Sequence, residues 1–183
     1  MTPIPTLETA RLVLRPFCPA DADAVTELIN DAAVSANLET IPYPYYREYA
    51  DWWINTHESL FAERRELHLA VVLRAQGGLL GAVSLLSKDP DGPPQLGYWL
   101  GRRHWGRGYA TEAVGAIIRY AQRELGARTI AARCMVDNPA SVAVLTKVGL
   151  RRVGRCTQLV TKGGRTCEVD EFLLQVTSEQ RAV

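Results

Sequence analysis

The sequence predicts an α/β protein of the α+β kind, with a twisted, mixed but mostly antiparallel sheet of about seven strands flanked by about four helices. Three observations lead there. Two pairs of β-type runs stand on either side of glycine-containing turns, at 66–74 with 79–87 and at 150–161 with 166–175, the pattern of antiparallel hairpins. One long segment, 109–125, has a helical period, with Ala110, Ala113, Val114, Ile117, Ile118, Ala121 and Leu125 on one face. From residue 95 to 149 strand and helix patterns alternate, so the sheet is mixed.

Taken in order, "RLVLRP" (11–16) alternates like a strand and is stopped by Pro16. "PADADAVTELIN" (19–30) follows as a helix with proline and acids in its first turn. A second helix spans 46–63, where Tyr46, Tyr49, Ala50, Trp53, His57, Leu60 and Phe61 recur at three- and four-residue steps and Trp52 lies off the stripe. "ELHLAVVLR" (66–74), the turn "AQGG" and "LLGAVSLLS" (79–87) form the first hairpin, after which "DPDGPP" breaks the chain.

"QLGYWLG" (95–101) is the fourth strand, the long helix ends at Gly126, and "ARTIAARCMV" (127–136) is the fifth strand. Its alternation puts Ile130, Ala132, Cys134 and Val136 on one face, which makes Cys134 a small core residue rather than a nucleophile. "DNPASVAVLTKVG" (137–149) has Asn138 as N-cap, Pro139 in the first helical position and Gly149 beyond the last turn. The last hairpin turns around "KGGR", where Gly163 and Gly164 suit positive φ. No repeat or linker interrupts residues 1–183, which are expected to form one domain.

With 47% hydrophobic and 22% charged residues, the chain lies far from the composition of disorder. A net charge of +1 gives no reason to expect nucleic acid or a membrane surface as partner, so any anion site must be built locally. The four cysteines form no C-x-x-C pair and no metal spacing, as expected of thiols in a reducing cytosol. No export-type leader follows Met1 and no membrane-length apolar run occurs, so a cytoplasmic protein is expected.

The local anion site is "GRRHWGRGYATEA" (101–113), a strand end, a glycine-rich turn and a helix start. Such a junction presents unsatisfied N–H groups and the positive end of a helix dipole to a phosphate. Glycines at 106 and 108 would let phosphate oxygens approach the main chain, with Arg102, Arg103 and Arg107 adding charge-assisted contacts. A plain turn with solvated arginines is the alternative. The Gly-Lys-Ser/Thr ending of a P-loop and the G-x-G-x-x-G of a dinucleotide fold are both missing, so the expected guest is another diphosphate.

Arg103-x-x-Gly106-x-Gly108 resembles the acetyl-CoA signature R/Q-x-x-G-x-G/A of the GNAT superfamily of N-acetyltransferases. "ETARLVLRPF", "IPYPYYREYADWWI", "LGYWLGRRHWGRGYATEAV" and "DNPASVAVLTKVGLRRVG" extend the resemblance from residue 8 to 154, toward the Rim-type branch that acetylates ribosomal-protein N-termini. The resemblance implies a GNAT fold, its sheet splayed between the fourth and fifth strands, here 95–101 and 128–136, to admit the thioester arm of acetyl-CoA. Main-chain groups of Tyr98, Trp99 and Leu100 would hold that arm. Gly106, Arg107, Gly108, Tyr109, Ala110 and Thr111 would cradle the diphosphate, with Arg103 and its arginine neighbours available to it or to the 3′-phosphate.

The same resemblance gives Asn138 a contact with the cofactor arm and Ser141 the protonation of the departing CoA thiolate. As a helix cap and a first-turn residue, both also have purely structural explanations. Lys147 matches too, although the helix dipole accounts for a lysine there. Gln95 stands where many relatives have a catalytic glutamate, and an amide cannot accept the proton. His57, His68 and Glu39 are the other candidate bases, but His57 falls on an apolar helical stripe and His68 in a strand, where a packed or half-exposed histidine is the commoner case.

The expected activity is acetyl transfer from acetyl-CoA to a primary amine, by direct attack in a ternary complex and without a metal. The acceptor would be a peptide N-terminus or a small molecule, and the enzyme a monomer or homodimer. A non-catalytic acyl-CoA-binding sensor of the same fold is the alternative raised by Gln95.

Overall fold

The computed structural model describes residues 3–38, 41–87, 89, 92–160 and 165–175. Their strands are β1 (Leu7–Glu8), β2 (Leu12–Arg15), β3 (Glu66–Leu73), β4 (Leu79–Leu86), β5 (Gln95–Leu100), β6 (Thr129–Met135), β7 (Arg151–Val160) and β8 (Arg165–Gln175). They join in one sheet in the order β1-β2-β3-β4-β5-β6-β8-β7. Every neighbouring pair is antiparallel except β5 and β6. The helices are α1 (Ala22–Ile29), α2 (Ala32–Ala36), α3 (Arg47–Ala62), α4 (Tyr109–Arg123) and α5 (Pro139–Lys147).

Helices cover both faces, so the central strands are apolar on both sides: six consecutive residues of β3, Leu67 to Val72, are buried. On one face Leu67, Leu69, Val83, Leu85, Leu96 and Phe172 pack with Val114, Ile117, Ile118 and Ala121 of α4. On the other, Ala70, Val72 and Leu79 pack with Val25, Leu28 and Ile29 of α1 and Ala50 and Ile54 of α3.

The mixed sheet of the sequence reading is present, with two short additions. β1 is two residues long and pairs only with β2, and α2 is a single turn. Neither is long enough to show a period; what marks α2 is Asp31, whose side chain caps Ala33 N at 2.8 Å. Residues 19–21 form a 3-10 turn ahead of α1.

Two apolar stripes are corrected. Along α3 the buried line is Ala50, Ile54 and His57, while Tyr46, which precedes the helix, and Tyr49 are exposed. Leu125 is exposed because α4 ends at Arg123 and the chain turns away at Gly126, φ +67°. Cys134 is buried in the core, as expected. The "KGGR" turn, with Gly163 and Gly164, falls largely outside the described residues, although β7 and β8 pair up to Val160↔Arg165 beside it.

Candidate active site

Parallel strands β5 and β6 pair only at their beginnings, Gln95↔Ala131 and Leu96↔Ala132. From Gly97 onward they part. A cavity of about 910 Å³ fills the wedge and runs from the start of α4 to the aromatic wall of α3. Gln95, Tyr98, Trp99, Leu100, Gly106, Gly108, Tyr109, Ala110, Thr111, Asn138 and Ser141 all line it. The carbonyl of Leu100 is taken by the indole Nε1–H of Trp105 at 2.7 Å, which secures the end of β5 to the following turn.

At one end of the cavity α4 begins on Gly108, whose φ of +77° is left-handed, and no side chain caps the helix. The first helical bond runs from Glu112 N to Gly108 O at 3.1 Å, so the N–H groups of Tyr109, Ala110 and Thr111 are left for a ligand. Gly106 is also left-handed, at +72°, and a Cβ there would meet nothing within 4 Å. Glycine is needed at these positions for its backbone conformation first, and the open space above Gly106 comes with it.

Arg11 holds this loop from below. It donates from its main-chain N (2.8 Å) and Nε (2.6 Å) to Glu112, and from its guanidinium to the carbonyl of Arg107 (3.0 Å), while its guanidinium carbon lies 4.7 Å from the centre of the Tyr109 ring. Thr9 adds a third bond to Glu112 at 2.7 Å. Burial works to raise the pKa of Glu112, but these donors outweigh it and hold the carboxyl below its usual range. Of the three expected phosphate-binding arginines, Arg103 is paired with Glu27 at 2.8 Å and Arg102 lies 3.9 Å from Asp31. Neither they nor Arg107 line the cavity.

Across the wedge, the Asn138 side chain caps α5 by accepting from Ser141 N at 3.0 Å, and Ser141 Oγ lies 2.6 Å from Tyr98 Oη. Burial pushes the Tyr98 phenol up to about 12, and the Ser141 contact only partly offsets that, so it keeps its proton.

The α3 face of the sheet carries a second polar group. His68 Nε2 is 2.6 Å from the Glu66 carboxylate, and both residues line the cavity. The His68 ring stacks on His57 at 4.5 Å, and Trp53 meets both rings edge-on. His57 is 3% exposed, does not line the cavity and has no partner for either ring nitrogen among the described residues. Burial, helped by the neighbouring His68, pushes it down to about 3. His57 is therefore a packed neutral ring, and Glu39 lies outside the described residues.

Sequence reasoning missed Arg11, Glu66 and the Tyr98 hydroxyl. The i, i+2 spacing of Glu66 and His68 in a strand was the available signal for one of them.

Residues 11–151 match the family model described as the acetyltransferase (GNAT) domain. The chain belongs to the GNAT acetyltransferase family. The uncharacterized N-acetyltransferase p20 of Bacillus licheniformis is 28% identical to this GNAT protein over 170 residues, covering 92% of this chain and 95% of the relative. The fold is shared with the ribosomal-protein-S5-alanine acetyltransferase from Vibrio fischeri (TM-score 0.82, 17% identity, 95% of this chain and 98% of the other). It is shared equally with RimL, a ribosomal L7/L12 α-N-protein acetyltransferase solved with coenzyme A (TM-score 0.82, 20% identity, 94% and 98%). This GNAT protein is thus an N-acetyltransferase that uses acetyl-CoA, in line with the Rim-type resemblance of its sequence.

Proposed function

We propose that this acetyltransferase acts on the α-amine of a peptide or protein N-terminus, with a small-molecule amine as the competing acceptor. The observation that carries the reading is the parting of β5 and β6, which joins the uncapped start of α4 to an aromatic chamber in one cavity. The residues present fit the cofactor, because α4 offers three unsatisfied N–H groups and open space over Gly106. Bound acetyl-CoA would supply the activated acetyl thioester.

In this reading Gly106, Arg107, Gly108, Tyr109, Ala110 and Thr111 hold the diphosphate by their main chain. Arg103 sits beside the cradle as a charge for the 3′-phosphate, released from Glu27. The β5 main chain at Tyr98, Trp99 and Leu100 pairs with the pantetheine arm where β6 no longer does, and polarises the thioester carbonyl. Asn138 fixes the turn that carries Ser141, and Ser141, backed by the protonated Tyr98, donates to the departing thiolate. Gln95, which cannot act as a base, orients the acceptor.

An α-amine suits a site with an amide at that position. With a pKa near 8 it is about one-tenth neutral at pH 7, against about one part in 2,500 for a lysine near 10.4. Tyr49, Trp52, Trp53 and Trp99 give the acceptor side apolar walls for a first side chain. A cytoplasmic setting accords with this reading, and among the described residues no helix is long and apolar enough to cross a membrane.

The test is a panel of N-terminal peptides, lysine side-chain peptides and small amines, with products read by mass spectrometry. Preferred acetylation of N-terminal α-amines supports the reading; modification confined to lysine side chains or small amines overturns the acceptor assigned here.

A further inference from the structure

We propose that His68, oriented by Glu66, is the proton acceptor for the attacking amine, taking the place that the amide of Gln95 cannot fill. The proposal rests on the acetyltransferase reading above and assigns the base of that same site. A carboxylate can only accept a hydrogen bond, so the 2.6 Å contact puts the ring proton on Nε2 and leaves the lone pair on Nδ1. The tautomer is fixed by Glu66. Among the described residues that line the cavity, Glu66 is the only carboxylate.

Position on the sheet supports the role. His68 is the register partner of Ser84, and Ser84 of Gly97, so the three stand in a row on the α3 face, with Gln95 two residues away on the same face. Gly97 is the first β5 residue beyond the last pair with β6. It has no side chain, and a Cβ there would come within 2.8 Å of Ser84 Oγ. Two strand spacings, about 10 Å, separate His68 from β5, a gap that a bound amine and one water span. The titratable groups that face His68 among the described residues are Glu66 on its own strand and His57 from α3. His57 lies outside the cavity and is held neutral by its burial, so it neither competes for the proton nor adds a charge.

The step balances. An acceptor bound as an ammonium gives one proton through water to Nδ1, which later releases it to solvent. The freed nitrogen lone pair attacks the thioester carbon, the C–S bond breaks with its electron pair on sulfur, Ser141 delivers its proton to the thiolate, and the second proton lost by the nitrogen passes through water to restore the Ser141–Tyr98 hydroxyl pair. The products are an N-acetyl amine, a thiol and one proton.

The experiment compares the whole protein with H68Q and E66Q, using an alanine-initiated hexapeptide and n-butylamine as acceptors. Calorimetry with acetyl-CoA checks that both variants keep the cofactor pocket. H68Q is expected to lower kcat about 100-fold, within the usual range for a lost general base. It should also replace the acid limb of kcat by one that follows the acceptor amine's own pKa. E66Q is expected to lower kcat about tenfold with little change in KM, because the ring loses the acceptor that fixes its tautomer. An acid limb in H68Q unchanged from wild type, or a kcat in E66Q equal to that of wild type, overturns the dyad while leaving the transferase standing. A wild-type protein that acetylates neither acceptor nor any amine of the wider panel overturns both.

Discussion

Tyr98 Oη and Ser141 Oγ face each other at 2.6 Å across the wedge, one on β5 and the other in the first turn of α5. The phenol, pushed up to about 12, stays protonated and can replace the proton that the serine hydroxyl gives away. S141A is expected to lower kcat about 100-fold and Y98F about tenfold, with the double variant no worse than S141A. Single-turnover kinetics beside acetyl-CoA calorimetry check this. Additive losses would mean that the two hydroxyls act separately.

Gly108 is left-handed, and an added Cβ would also come within 3.4 Å of Arg11. G108V is expected to weaken acetyl-CoA binding more than tenfold, since a left-handed non-glycine residue costs about 1–2 kcal/mol before any blocked contact is counted. G106A meets no protein neighbour, and its single methyl intrudes less on the space assigned to the diphosphate than the valine at 108 would, so its loss should be smaller. Isothermal titration decides the ranking.

Arg11 ties the first strands to the start of α4 through Glu112, Arg107 O and Tyr109. E112A is expected to lower stability by about 1–2 kcal/mol, the value of a partly buried charged hydrogen-bond set, read from the denaturation midpoint. R11A should raise the Kd for acetyl-CoA severalfold through a loosened loop. Because the folded pKa of Glu112 is depressed, its contribution is present above the unfolded carboxylate pKa and is lost as pH falls through the folded value.

His57 has its pKa pushed down to about 3, so between that value and the ordinary 6.5 of histidine the unfolded chain binds a proton that the folded one does not. Stability should fall on acidification through this window by about 1.4 kcal/mol per pH unit. H57F removes two buried nitrogens without partners among the described residues and should flatten that slope while folding normally. Urea denaturation at a series of pH values measures it.

How much of this was legible beforehand depends on the range of the interaction. The start of α4, both ends of α5, the Asn138 cap and the glycine turn are local, written in periods, caps and φ preferences within a few residues of each other, and the sequence alone determined them, whereas α4 ends two residues earlier than its period suggests. The chamber wall was half legible: aromatic residues crowd 43–53, but their spacing did not show that Tyr46 and Tyr49 would be exposed while Ile54 turned inward. Arg11 meeting Glu112, Tyr98 meeting Ser141 and Glu66–His68 facing the cavity opposite β5 were decided only by the tertiary structure. Those pairings are set by which strands lie side by side and where two of them part, and sheet register joins residues that no local pattern connects.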